Sequence, residues 1–218
     1  MPATIVFDLD GTLVDSVPDL AAALNRLFAT RGLAPLADAE VAPMVGDGVP
    51  KLLERAFAAR GLACDAAALA AYNEDYAGRA SELTRVFPEV AETLPLLAAA
   101  GWRLAVCTNK PLAPARALLD ALGLGGYFAA IGAGDSFPVR KPDPAHLAAT
   151  LAAAGGSPAA ALMVGDHRND LAAAAGLGVP AVFAAWGYGR PEWATGAAAV
   201  ATHFGALPEL ASRLLGAP

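Results

Sequence analysis

Short apolar runs recur along the chain, and each opens onto polar or glycine-rich residues. They fall at residues 4–7, 103–107, 129–133, 161–164, 181–184 and, more weakly, 199–202. The first five are almost free of polar interruption, as strands buried on both faces require. Helical patterns fill the intervals at about 88–100, 113–122, 144–154 and 169–175. This alternation predicts βαβ units and an α/β fold around a parallel sheet.

One interval breaks the rhythm. Between the first run and the second lie roughly a hundred residues, far more than one crossover helix needs. Within it, residues 19–31, 49–60 and 66–83 read as helices, and no strand signal interrupts them. Ser16 and Asp19 are candidate caps for the first helix, and Gly32 and Gly61 stand where left-handed C-terminal caps belong. The expected organisation is an α/β core from residues 1–15 and 85–218 with an all-helical insert over residues 16–84. A final helix is predicted at 207–215.

Composition narrows the function. The chain has 218 residues, enough for one domain with a modest insert. Its hydrophobic fraction is 56%, but much of that is alanine, which adds helix propensity more than burial energy. A net charge of −6 argues against nucleic acid as partner, because phosphate backbones select a basic footprint. Small anions stay possible, since a metal and a few local donors suffice to hold them. Cys64 and Cys107 lie far apart, so no disulfide or zinc site is expected, and Cys107 reads as a buried thiol. Residues 1–7 are too short and uncharged for a secretory signal before Asp8 interrupts them. Residues 171–189 carry no formal charge, yet three or more glycines and Pro180 break them, so no membrane span is expected. A cytoplasmic location is the default expectation.

The candidate chemistry lies at the ends of the predicted strands, where open α/β sheets bind ligands. The first run leads directly into Asp8-Leu9-Asp10-Gly11-Thr12. Carboxylates two residues apart repel unless a cation offsets them, and a hard divalent ion with oxygen ligands does so. The same pair also suits a turn that caps the next helix. A second cluster, Gly165-Asp166-His167-Arg168-Asn169-Asp170, follows another run, with Asp166 and Asp170 one helical turn apart. Thr108 and Asn109 follow the second strand and offer a hydroxyl and backbone N–H groups to phosphate oxygens. Lys141 precedes a proline-started helix and is either an ordinary surface lysine or a neutraliser of transition-state charge.

These four segments, DLDGT, TN, the lysine of RKPDP and GDHRND, resemble the motifs of the haloacid dehalogenase superfamily in their order. The likeness spans essentially the whole chain and is greatest to its phosphoglycolate phosphatase-like group. It implies a Rossmann-like parallel sheet with a helical cap inserted after the first motif. By position, Asp8 resembles the nucleophile that forms an aspartyl-phosphate, and Asp10 the general acid/base, whose backbone carbonyl also ligates metal. Thr108 and Lys141 resemble the phosphate-holding pair, with Asn109, Gly11 and Thr12 nearby. Asp8, Asp10, Asp166 and Asp170 are the implied ligand set for Mg2+. Asp10 favours phosphoryl chemistry, because dehalogenases and phosphonatases of this fold lack an aspartate there.

The implied reaction is hydrolysis of a small phosphate monoester, with 2-phosphoglycolate the leading substrate. Asp15–Leu20, Val45–Ala56, Gly132–Pro144 and Gly187–Gly189 resemble phosphoglycolate phosphatases most closely. Gly46 and Gly48 would let a backbone N–H approach a small substrate, with Asp47 an awkward charge between them. Lys51 and Arg55, four apart on one helical face, are candidates for its carboxylate or else solvated surface cations. Phe28, Phe57, Tyr72 and Tyr76 read as packing, His146 and His203 as lacking partners, and His167 as exposed. The rival readings are a β-phosphoglucomutase-like mutase, a phosphatase of another sugar phosphate, pyrophosphate or nucleotide, and a silent binding protein. The expected partner is a small phosphorylated metabolite, with no nucleic acid and no membrane, in a monomer or homodimer.

Overall fold

The structure, a computed structural model, describes residues 3–218. Met1 and Pro2 of the opening segment lie outside the described residues. In chain order the elements begin with β1 (Thr4–Phe7), β2 (Val14–Asp15), α1 (Val17–Thr30), α2 (Asp38–Val41), α3 (Val49–Ala58) and α4 (Ala66–Ala77). They continue with β3 (Arg85–Val86), α5 (Val90–Ala99), β4 (Arg103–Cys107), α6 (Leu112–Ala121), β5 (Ala130–Gly132) and α7 (Pro144–Ala153). The last are β6 (Ala161–Gly165), α8 (Arg168–Gly176), β7 (Ala181–Ala184), β8 (Ala199–Ala201) and α9 (Leu207–Leu215).

Six strands form one parallel sheet in the order β5-β4-β1-β6-β7-β8. β1 sits centrally, with Phe7 opposite Val106 on one side and Val164 on the other. Each face of the sheet carries its own apolar cluster. Ile5, Phe7, Leu94 and Phe204 belong to one cluster, and Val6, Met163, Leu147 and Phe183 to the other. Burial of both faces explains why these strands read as continuous apolar runs rather than alternating ones.

The helices α1–α4 build a third cluster of their own from Leu24, Phe28, Leu53, Phe57 and Tyr72. The chain leaves and re-enters the sheet through an antiparallel pair, β2 with β3, in which Val14 faces Val86 and Asp15 faces Arg85. Gly32 and Gly61 end α1 and α3 with φ of 68° and 72°, and the next residues, Leu33 and Leu62, donate back to Phe28 and Phe57 carbonyls. This is the left-handed C-terminal cap expected of them.

The caps proposed for α1 need correction. The Ser16 hydroxyl donates not to the helix but to Asp10 Oδ1, at 2.6 Å. Asp19 lies inside the first turn and accepts from Leu83 N, Thr84 N and Thr84 Oγ1 at 2.6–3.1 Å. The helix expected over residues 66–83 ends earlier, at Ala77, with Gly78 as its C-cap. Among the described residues no helix is long and apolar enough to cross a membrane.

Candidate active site

The carboxyl edge of the sheet gathers the predicted motifs. β1 runs into Asp8, β4 into Thr108 and β6 into Asp166, while the loops after β5 and β7 bring in Lys141 and Tyr188. Asp8, Asp166 and Asp170 are buried and present one carboxylate oxygen each within 4.8 Å of one another, an arrangement able to hold a metal ion. Lys141 Nζ donates to Asp170 Oδ1 at 2.6 Å and pairs with Asp8 Oδ1 at 2.9 Å. Burial alone would strip its proton, but Asp170 and Asp8 outweigh it and hold the ammonium well above the ordinary lysine range.

The carboxylates carry the cost of this crowding. Burial pushes Asp8 up to about 6 against the pull of Lys141, so at neutral pH it is an anion. Burial, then Asp8 and Asp170, push Asp166 up to about 8. With Asp10 included, four carboxyl groups face two ammonium groups, Lys141 and Lys110, so their full ionisation leaves two negative charges to offset. An all-oxygen site with that deficit suits a hard divalent cation.

Asp10 stands apart from the three-carboxylate cluster. Its Oδ1 accepts from Ser16 Oγ at 2.6 Å and from Lys110 Nζ at 3.1 Å, and its Oδ2 lies 3.4 Å from Lys110 Nζ. Gly11 and Thr12 serve Asp166 rather than the open cleft. The Thr12 hydroxyl donates to Asp166 Oδ1 at 2.9 Å, and Gly11, at φ 88°, leaves room that a Cβ would take from the Asp166 carboxylate. The Tyr188 N–H completes the support by donating to Asp166 Oδ2 at 2.9 Å.

Beside Asp8 and Asp10 opens a cleft of about 30 Å³, lined on the sheet side by Thr108, Asn109 and Lys110. Its other wall is Leu20, Leu52, Val45 and Val49 with Gly46 and Gly48, so the helical side contributes apolar groups and backbone. Asn109 braces the wall by donating to Gly46 O at 2.9 Å and Lys141 O at 3.0 Å.

Lys51 and Arg55 do not reach this cleft. Lys51 is exposed and pairs with Glu54 at 2.6 Å. Arg55 pairs with Asp47 and donates to Met44 O at 2.8 Å. Asp47 is therefore not a bare charge between glycines. Burial opposes its ionisation, but Asn169, at 2.7 Å, and Arg55 hold it below the usual carboxylate range.

The histidines differ from expectation. His167 is buried, not exposed: its Nδ1 accepts from Asn169 N at 3.2 Å as the cap of α8, its N–H donates to Asp170 Oδ2 at 2.9 Å, and its ring lies against Trp193. Burial pushes it down to about 4, so it is neutral. His146 is also buried and partnered, taking the Lys141 N–H at 3.1 Å while its Nε2 faces Ala133 O at 3.0 Å. It fixes the backbone of Lys141. His203 pairs with Glu89 at 2.7 Å.

The sequence alone assigned no role to Lys110 or Tyr188. Lys110 is buried and donates to both Asp10 and Tyr76 Oη, the latter at 2.8 Å. Its place directly after Thr108 and Asn109, at a strand end, was the available signal. Tyr76 reads as packing, and it does stack on Tyr72, but its hydroxyl also serves Lys110.

A buried aspartate at a central strand end, facing a lysine and two more aspartates from the end of a neighbouring strand, defines a haloacid dehalogenase-like hydrolase. The chain matches that family over residues 2–178 and belongs to it. It is 47% identical to the phosphoglycolate phosphatase of Rhodospirillum rubrum, over 95% of this chain and 90% of that protein. It is 46% identical to the phosphoglycolate phosphatase of Caulobacter vibrioides, over 85% of this chain and 80% of that one. The crystal structure of a predicted phosphoglycolate phosphatase from Haemophilus somnus superposes with a TM-score of 0.87 at 30% identity, covering 96% of this chain and 97% of its own.

Proposed function

We propose that this hydrolase cleaves a small phosphate monoester, with 2-phosphoglycolate as substrate and Mg2+ as the metal. The observation that carries the reaction is the pairing of the Asp8 carboxylate with Lys141 at 2.9 Å beside the cleft, which supplies an anionic nucleophile next to a fixed cation. The substrate rests on the relatives named phosphoglycolate phosphatase and on a cleft of only about 30 Å³, which favours a small molecule.

An Asp8 oxygen attacks phosphorus in line, and the ester P–O bond breaks. Asp10 protonates the departing oxygen, leaving an aspartyl-phosphate on Asp8. Asp10 then takes a proton from water as that water attacks phosphorus, which releases phosphate and restores Asp8. Thr108 and Asn109 flank the phosphoryl group, and Lys141 offsets charge developing on its oxygens. Asp8, Asp166, Asp170 and the Asp10 backbone carbonyl would hold Mg2+, which when bound neutralises the phosphoryl oxygens. The helices of residues 16–84 form the cap that closes the cleft, with residues 1–15 and 85–218 as the core.

The mutase reading fits less well. A sugar bisphosphate needs basic groups on the helical wall of the cleft, whereas Leu20, Val45, Val49 and Leu52 stand there. The test is phosphate release across 2-phosphoglycolate, β-glucose 1-phosphate, pyridoxal phosphate, pyrophosphate and nucleoside monophosphates. The expected result is a clear kcat/KM preference for 2-phosphoglycolate, lost in chelator. Equal activity across the panel would withdraw the substrate, and no release without a bisphosphate activator would replace the phosphatase by the mutase.

A further inference from the structure

We infer that Lys110 is the specificity-determining residue that receives the carboxylate of the substrate's leaving group, an inference that rests on the 2-phosphoglycolate reading. The cleft beside Asp8 has one cationic side chain among the described residues that line it, and it is Lys110. Of the other basic residues nearby, Lys141 is held between Asp8 and Asp170, Arg55 closes on Asp47, and Lys51 pairs with Glu54 on the surface. Arg140 is exposed and lies behind Gly48, outside the cleft lining.

Position follows from the partner of Lys110. Its Nζ lies 3.1 Å from Asp10 Oδ1, and Asp10 is the group assigned to protonate the ester oxygen. In a 2-phosphoglycolate molecule one methylene separates that oxygen from the carboxylate carbon. A cation in contact with Asp10 is therefore on the leaving-group side and within reach of the carboxylate. An ammonium has three N–H donors. Tyr76 Oη, at 2.8 Å, and Asp10 Oδ1 and Oδ2, at 3.1 and 3.4 Å, take them, and the Tyr76 ring lies 4.9 Å beneath Nζ. The longest of these contacts, to Asp10 Oδ2, is the one a substrate carboxylate would replace.

The experiment compares 2-phosphoglycolate with 2-hydroxyethyl phosphate, in which a neutral CH2OH replaces the carboxylate. In the wild type, kcat/KM should favour 2-phosphoglycolate strongly. In Lys110→Met that ratio should fall at least about tenfold, the scale of one charge-assisted hydrogen bond, with KM for 2-phosphoglycolate carrying the change. Lys110→Gln, which retains donors for Asp10 and Tyr76 without charge, should lose the ratio as well and covers the case in which the methionine variant does not fold. If both esters slow in parallel and the ratio is kept, Lys110 only orients Asp10 and the inference is overturned. If the wild type itself shows no preference, it is the 2-phosphoglycolate reading that fails, a result separate from any effect of Lys110.

Discussion

The ring of His167 occupies the space that a side chain on Gly46 would need. A Cβ at position 46 would lie 2.6 Å from His167 Cδ2, and Gly46 has φ of 114°, where an L residue is strained whatever the space. The cleft wall and the loop carrying Asp166 and Asp170 therefore touch without a side chain between them. Gly46→Ala should cost about 1–3 kcal/mol from backbone strain before the clash is counted, so thermal unfolding should begin several degrees lower. Adding His167→Ala should recover the steric part, making the double variant less unstable than the two single losses together. Additive losses would show that the ring and the glycine do not compete for space.

Asp8→Asn should lower phosphate release at least about 10⁴-fold, because an amide is a poor nucleophile. Its thermal midpoint in chelator should not fall. The substitution gives up the contact with Lys141, which keeps Asp170, and removes one of the charges pressing on Asp166. Turnover near wild type in steady-state assays would reject Asp8 as nucleophile.

The strands and the four motif segments were legible because each depends on local pattern. β1, β4 and β7 lie where the apolar runs predicted them, since burial on both faces leaves no polar position to blur the reading. Asp8, Asp166 and Lys141 were found because they follow strand ends or open a helix. The four-residue α2 is too short for a helical period to appear. The pairs Lys110 with Tyr76, Gly46 with His167 and His146 with Lys141 N join residues whose side chains show no shared period. The first two became visible only when the helical insert was folded onto the sheet, and the third only when the loop before α7 was in place. Lys51 and Arg55 mark the opposite case. Their spacing was correct for one helical face, but that face looks away from the cleft, towards Glu54 and Asp47.

That placement separates their variants. Lys51→Ala should leave kcat/KM for 2-phosphoglycolate within about twofold, since an exposed pair with Glu54 contributes little. Arg55→Ala should behave differently, because it leaves Asp47 with only Asn169 and frees the Met44 carbonyl behind Gly46 and Gly48. A lower thermal midpoint with a moderately raised KM is expected. A large KM increase in Lys51→Ala alone would return that lysine to the substrate.

The metal-free protein should lose stability as pH rises from 6.5 to 8. Asp166 keeps its proton in the folded state up to about 8, whereas an unfolded aspartate has lost it above its ordinary 3.8. The folded chain binds more protons across that interval, so stability falls with rising pH and levels off beyond it. Below 6.5 the neutral His146 and His167, each pushed down to about 4, act in the opposite sense, which makes the interval above it the clean one. Bound Mg2+ replaces the proton as the partner of the carboxylates, so its stabilisation should be larger at pH 8.5 than at 6.5. Calorimetric midpoints with magnesium and with chelator at the two pH values measure this. A magnesium shift independent of pH would mean that Asp166 is not among the groups the ion displaces protons from.

Tyr188 joins the loop of Asp166 to the strand that leads into the helices. Its backbone N–H holds Asp166, while its hydroxyl accepts from Ser16 N at 2.8 Å and Val17 N at 3.2 Å and donates to Asp15 Oδ1 at 2.7 Å. Three groups of the β2–α1 junction thus depend on one oxygen from the far side of the sequence. Tyr188→Phe keeps the ring packing and the N–H but leaves a carboxylate and two amides without that partner. A loss of about 1–3 kcal/mol is expected for unpaired, partly buried groups. Hydrogen exchange should localise it, because the Ser16 and Val17 amides should exchange faster while those of β1 and β6 do not. If stability falls but exchange at Ser16 and Val17 is unchanged, the hydroxyl acts through ring packing, and the junction is held by the β2–β3 pair alone.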